Sequence, residues 1–218
     1  MTRRAGQTAL RHASLYLILE VAAAHVVEPA LRGGVDVIQL RDKQAPDGEV
    51  VAAGRDLAAL CRRHGALFFV NDRPDLALEC GADGVHVGQD DAAVEAVREL
   101  AQDRLLVGVS THSPDQVAAA EASGADYFAV GPVHATPTKP GRPAVGLELV
   151  RHAAGHAAKP WFAIGGIDAG NAADVVAAGA RRLAVVRAIR DAADPRAAAA
   201  QLRALAGGAA LSTGVTHG

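Results

Sequence analysis

Short, almost wholly apolar runs recur along the chain, each followed by a longer stretch in which apolar residues return at helical spacing. The runs are LYLIL (Leu15 to Leu19), VDVIQL (Val35 to Leu40), ALFFV (Ala66 to Val70) and DGVHV (Asp83 to Val87). They continue with RLLVGV (Arg104 to Val109), DYFAV (Asp126 to Val130), WFAI (Trp161 to Ile164) and RLAVV (Arg182 to Val186). Apolar throughout rather than alternating, they read as parallel strands buried on both faces.

The stretches between them predict helices. Glu20 to Arg32 is stopped by Gly33-Gly34, and a second helix, capped by Asp47, runs to His64 with Val50, Leu57, Leu60 and Cys61 in phase and Gly65 as its stop. A helix entered near Pro74 ends at Gly81, and Val94, Val97 and Leu100 mark the next. Ser113, Pro114 and Gln116 form a capping-box signature for a helix that ends at Gly124. Leu147 to about Ala154, Asn171 to Ala178, and a helix opened by Asp194-Pro195 complete the set. A Gly-x-Asp signal repeats at Gly34, Gly81 and Gly124, each time closing a helix and opening a strand. Alternation of about eight such units predicts a single-domain (β/α)8 barrel over residues 10–206, with an open doubly wound sheet as the alternative. The tail, residues 207–218, is small and polar and is expected to fray.

One stretch fits neither period. GPVHATPTKPGRPAVG, Gly131 to Gly146, carries Pro132, Pro137, Pro140 and Pro143 and so reads as a long loop leaving the sixth strand. Its Thr136, Thr138 and Lys139 suit a phosphate better than a metal. The other candidate residues also follow strands. Arg41 and Lys43 follow the second strand, with Gln39 and Arg41 on one face by alternation; Asn71 and Asp72 follow the third. Asp91 follows the fourth, Ser110 the fifth and Gly165-Gly166 the seventh. In a barrel these loops share the C-terminal face, where active sites sit.

Three groups emerge there. Arg41, Lys43 and Lys139 are cationic donors for a polyanion. Asp72 and Asp91 are a hard oxygen pair suited to Mg²⁺, which often binds through one or two carboxylates plus substrate phosphates. Gly165-Gly166 lets backbone amides approach a phosphate. Taken singly, each has a plainer explanation: Asp72 as a helix cap, Asp91 as a first-turn acid, Arg41 and Lys43 as a solvated strand end. Their placement on one face is what those explanations leave unaccounted for. His86, His112 and His134 lack the close spacing of a zinc site and are expected as core or supporting residues.

Composition narrows the class. Half of the 218 residues are hydrophobic and the formal net charge is −2, which argues against a nucleic-acid binder. Cys61 and Cys80 are too few for a disulfide scaffold and read as buried thiols of a reducing compartment. Residues 1–9 are not a signal peptide, and no run approaches a membrane span, so a cytoplasmic protein is expected. A homo-oligomer is compatible with the sequence.

The motifs IQLRDK, NDRPDLAL, GADGVHVGQDD, GVSTH, GPVHATPTKPGRPAVGL and AIGGI stand in that order. In them the chain resembles the thiamine-phosphate synthase family, from Leu15 to about Arg190. The resemblance implies a (β/α)8 barrel that joins a hydroxymethylpyrimidine diphosphate to a thiazole phosphate, with release of pyrophosphate by a dissociative, Mg²⁺-assisted displacement. By the same match, Gln39, Leu40, Arg41, Asp42, Lys43, Asn71, Ser110 and Lys139 would hold the pyrimidine diphosphate, with Arg41, Lys43, Ser110 and Lys139 acting on the chemistry. Asp72 and Asp91 would bind Mg²⁺. Thr136, Pro137, Thr138, Gly166, Val186 and Arg187 would hold the thiazole phosphate. Where the family usually reads Val-Val-Ser after the eighth strand, this chain reads Val185-Val186-Arg187, and the arginine is expected to reach the phosphate. A tautomerase-like relative would need a proton-transfer group and no diphosphate site. A sugar-phosphate isomerase would share the Gly-Gly loop without the carboxylate pair, and a precursor sensor would bind both ligands without turnover.

Overall fold

The computed structural model describes residues 2–136 and 143–208. The eight apolar runs form the strands β1 (Leu15–Leu19), β2 (Val37–Leu40), β3 (Leu67–Asn71), β4 (Gly84–Val87), β5 (Leu106–Thr111), β6 (Tyr127–Val130), β7 (Trp161–Ile164) and β8 (Leu183–Val185). They pair in sequence order, all parallel, and β8 closes on β1 in the register Leu15↔Leu183 to Leu17↔Val185. The fold is a closed (β/α)8 barrel, not an open sheet.

Period-two geometry divides each strand between two cores. Leu15, Leu17 and Leu19 point out to the helices, whereas Tyr16 and Ile18 fill the barrel with Phe69, Leu106, Tyr127 and Phe162. The interior rings pack edge to face, Tyr16 on Phe162 at 5.2 Å and Phe69 on Tyr127 at 5.4 Å between centroids. Gly84 makes this possible, because a Cβ there would stand 2.7 Å from the Leu106 carbonyl oxygen and closer still to the Phe69 ring.

The helices are α1 (Arg3–His12), α2 (Val27–Arg32), α3 (Asp47–His64), α4 (Pro74–Cys80), α5 (Val94–Ala101), α6 (Pro114–Ala122), α7 (Gly146–His156), α8 (Ala172–Ala177), α9 (Arg187–Arg190) and α10 (Pro195–Gly208). None among the described residues is long and apolar enough to cross a membrane. Cys61 and Cys80 are buried free thiols on α3 and α4.

Three local expectations change. The helix expected from Glu20 to Arg32 is a 3-10 segment, Val21–Val26, followed by α2. Pro29 has no N–H and would clash within a continuous helix, but it fits the first turn of α2. Asp47 does not cap α3; Pro46 holds that position, and the Asp47 carboxylate takes two Arg73 donors at 2.9 and 2.8 Å. A helix that the sequence pattern does not suggest also precedes β1. α1, capped by the Thr2 hydroxyl, drives Leu10 into the N-terminal mouth of the barrel, where the side chain is fully buried.

Candidate active site

The C-terminal ends of the strands surround a cavity of about 410 Å³. Its lining includes Gln39, Arg41, Asn71, Ser110, Thr136, Gly166, Val186 and Arg187, all expected site residues. Strand alternation puts Gln39 inside the mouth, nearly fully buried, with an amide nitrogen that finds no partner among the described residues. A buried donor left without an acceptor is costly, and one lining a cavity is available to a ligand. Leu40, one residue on, points the other way into the helix-facing core. The Asp42 carboxylate likewise stays out of the cavity lining: it accepts from the backbone N–H groups of Val21, Gln44 and Ala45 at 3.2, 3.1 and 3.0 Å and so shapes the β2 loop. Neither residue is among those that line the cavity.

The wall at β4 and β5 holds a hydrogen-bonded chain that the sequence reading does not contain. Ser110 Oγ lies 2.9 Å from His86 Nε2, His86 Nδ1 lies 3.0 Å from the Tyr127 hydroxyl, and that hydroxyl lies 3.0 Å from the Tyr16 hydroxyl. All four side chains are buried. Burial pushes both phenols well above their ordinary range, so each keeps its proton. If Tyr127 donates to Nδ1, the Nε2–H of His86 donates to Ser110 and the serine proton is left for the cavity; the other His86 tautomer reverses each bond. The available signal was the inward alternation of Tyr16, His86, Ser110 and Tyr127 on their strands.

At the rim, Asp72 takes the left-handed backbone at φ 61° after β3, and its N–H donates to the His86 carbonyl at 2.8 Å. It is not a helix cap, and Asp91 precedes the first turn of α5, so the plainer explanations for both fall away. The two side chains are within hydrogen-bonding reach of each other. Burial raises the Asp72 carboxyl above the usual carboxylate range and Asp91 adds to this, while Lys43, whose Nζ is 2.8 Å away, opposes it. Asp91 also accepts from the Gly88 N–H at 2.9 Å. Adjoining carboxylates of this kind supply hard oxygen donors for Mg²⁺. Among the described residues no three His, Cys, Asp or Glu side chains gather as metal ligands, so such an ion would draw its other donors from ligand or water. His86 is committed to Tyr127 and Ser110.

On the opposite wall, Gly165 and Gly166 have φ of 104° and 63°, and a Cβ at Gly166 would stand 2.8 Å from that of His134. The loop is tied down by Val133 N–H to the Ile164 carbonyl at 2.8 Å and by Asn171 Nδ2 to the Gly166 carbonyl at 2.8 Å. Arg187 opens α9 beside it and makes no ion pair among the described residues; Asp191 is paired instead with Arg190 at 2.6 Å. Pro137, Thr138 and Lys139 lie outside the described residues.

A closed barrel with cationic and backbone donors on its C-terminal mouth belongs to the phosphate-binding (β/α)8 class. A family model described as thiamine monophosphate synthase matches residues 15–189. The chain is 53% identical over 208 residues to a thiamine-phosphate synthase of Saccharopolyspora erythraea, covering 89% of this chain and 93% of that one. It is 55% identical over 177 residues to one of Thermus thermophilus, covering 81% and 85%. A thiamine phosphate pyrophosphorylase structure from Pyrococcus furiosus aligns with a TM-score of 0.84 at 37% identity, over 90% of this chain and 96% of that one. A 3-hexulose-6-phosphate synthase, at 24% identity and a TM-score of 0.66 over 88% and 99%, shares the fold alone. The chain belongs to the thiamine monophosphate synthase family.

Proposed function

We propose that this chain joins a hydroxymethylpyrimidine diphosphate to a thiazole phosphate, giving thiamine phosphate and pyrophosphate. The observation that carries the reading is one cavity with an orphaned buried amide and a cation on one wall, a carboxylate pair at the rim and a glycine-lined loop opposite. The pyrimidine CH₂–O bond breaks, its electron pair leaves with the diphosphate, and the thiazole nitrogen supplies the pair for the new C–N bond. The amino-substituted ring delocalises the transient cation, so no covalent nucleophile is needed. Gln39 and Asn71 orient the pyrimidine diphosphate, and Arg41, Lys43 and the Ser110 hydroxyl meet the charge that grows on the departing group. Asp72 and Asp91 would hold Mg²⁺, which supplies Lewis-acid stabilisation of that charge when bound. Thr136, Gly166, Val186 and Arg187 hold the thiazole phosphate in line.

The test is to mix both precursors with the protein and follow thiamine phosphate, with and without Mg²⁺. Turnover is expected only with the divalent ion. Asp72→Asn and Asp91→Asn are each expected to shift the Mg²⁺ titration upward and to lower kcat by roughly 10²-fold or more. Wild-type turnover and an unchanged Mg²⁺ titration in both variants would remove the metal from the reading.

A further inference from the structure

The other mouth of the barrel carries a second cationic recess. A cavity of about 260 Å³ lies between the C-terminus of α1 and the starts of β7 and β8, lined by Arg11, Lys159, Arg181 and Arg182 with Trp161 and Pro160 beside them. Among the described residues no Asp or Glu lines it, although the whole chain has a net charge of −2. An adjoining recess shares Arg11, Arg181 and Arg182 and adds His12 and Arg203.

The cations differ in how far the protein neutralises them. Lys159 donates to the Ala120 and Ser123 carbonyls at 3.1 and 2.7 Å, and Arg203 reaches Asp36 at 2.6 Å. Arg182 donates to the Arg11 carbonyl at 2.8 Å, which docks the end of α1, but its buried Nε has no partner among the described residues. Burial and then the like charges of Arg181 and Arg11 disfavour its charged form, and no carboxylate among the described residues offsets them. Arg11 and Arg181 are exposed and make no ion pair among the described residues. A cation at the C-terminus of α1 accounts for Arg11 through the helix dipole, but not for two further arginines on β8's approach. Guanidinium groups held together without a counter-charge gain most from a multiply charged oxyanion, whose oxygens match the planar fork.

We propose that this recess is an anion site, separate from the C-terminal cavity, that takes a small phosphate-bearing anion between Arg11, Arg181 and Arg182. It lies at the strand starts, so it can be filled whatever occupies the active site.

Trp161, the only tryptophan in the chain, lines the recess and reports on it. It points outward from the first position of β7, roughly 10 Å along the strand from Ile164 in the other cavity. The experiment titrates the full chain, without divalent ion, with inorganic phosphate and separately with inorganic pyrophosphate, reading Trp161 fluorescence against NaCl at equal ionic strength. A saturable change with at least one of the two anions, absent with NaCl, is expected. Arg41→Ala, which alters the C-terminal cavity, is expected to keep it. Arg11→Gln and Arg181→Gln, both exposed, are each expected to raise the apparent Kd at least about fivefold while thiamine phosphate formation persists. The anion giving the lower Kd identifies whether one phosphate or two fits. No saturable change in the wild type, one equalled by NaCl, or one unaltered in the Arg11→Gln/Arg181→Gln double variant would overturn the site.

Discussion

Ser110 gains its direction from His86, which lines the cavity beside it, and from Tyr127 behind His86. His86 meets Ser110 at Nε2 and the Tyr127 hydroxyl at Nδ1, so the phenol biases which ring nitrogen carries the proton. His86 and Tyr127 are therefore positioning residues. Tyr127→Phe keeps the ring and its packing but leaves Nδ1 without that partner. The variant is expected to lose roughly 10-fold in kcat, less than removal of a direct donor costs, with KM for both substrates nearly unchanged. A purely structural role would lower thermal stability and leave kcat per folded molecule intact, so both are measured. Arg187 is the matching case on the other wall. Asp191 is ion-paired with Arg190, and Arg187 lines the cavity beside it; on the proposed reading its guanidinium would meet the thiazole phosphate as a charge-assisted partner. Arg187→Ala is expected to raise KM for the thiazole phosphate roughly 10-fold and to leave that for the pyrimidine diphosphate unchanged. Equal thiazole-phosphate KM values would take Arg187 out of the site.

At the scale of elements, the strands were legible because burial on both faces leaves an unbroken apolar run, and the stops were legible because Gly65 and Gly81 adopt the left-handed caps that favour glycine. The Ser113 signature was only half reciprocal: Ser113 Oγ accepts from Gln116 N–H at 3.2 Å, but the Gln116 amide reaches His112 N–H at 2.7 Å instead of that of Ser113. α1 was illegible because Leu10 is its lone large buried side chain and its docking is polar, through Arg3 and Gln7 to Asp126. Site residues followed the same logic. Those on strands, such as Gln39, Ser110 and the outward-facing Leu40, could be placed by alternation, whereas the part played by Asp42 depends on a loop turn that no period encodes.

Across the whole molecule, Asp126 is the point where the N-terminal mouth is fastened. Its carboxylate accepts from Arg3, Gln7, Arg98 and the Val107 N–H, joining α1, α5, β5 and β6 with a side chain that is 1% exposed. Burial pushes its carboxyl up, but these donors outweigh burial and hold it below the ordinary range. The sign of the pH effect follows. Above the unfolded value, about 3.9, both states are ionised and the stabilisation is fully present. As pH falls below that value the unfolded chain takes up a proton that the folded chain refuses, and stability drops until the folded carboxyl is also protonated. Asp72 is shifted the other way, so a simple acid scan mixes opposing contributions. The difference between wild type and Asp126→Asn cancels every group that the two proteins share. That difference, from urea unfolding, is expected to be about 2–3 kcal/mol at pH 7, because Arg98 and Arg3 lose their buried counter-charge. It should shrink steadily as pH falls below about 4. A difference that stays constant below that pH would mean the Asp126 carboxyl titrates alike in both states.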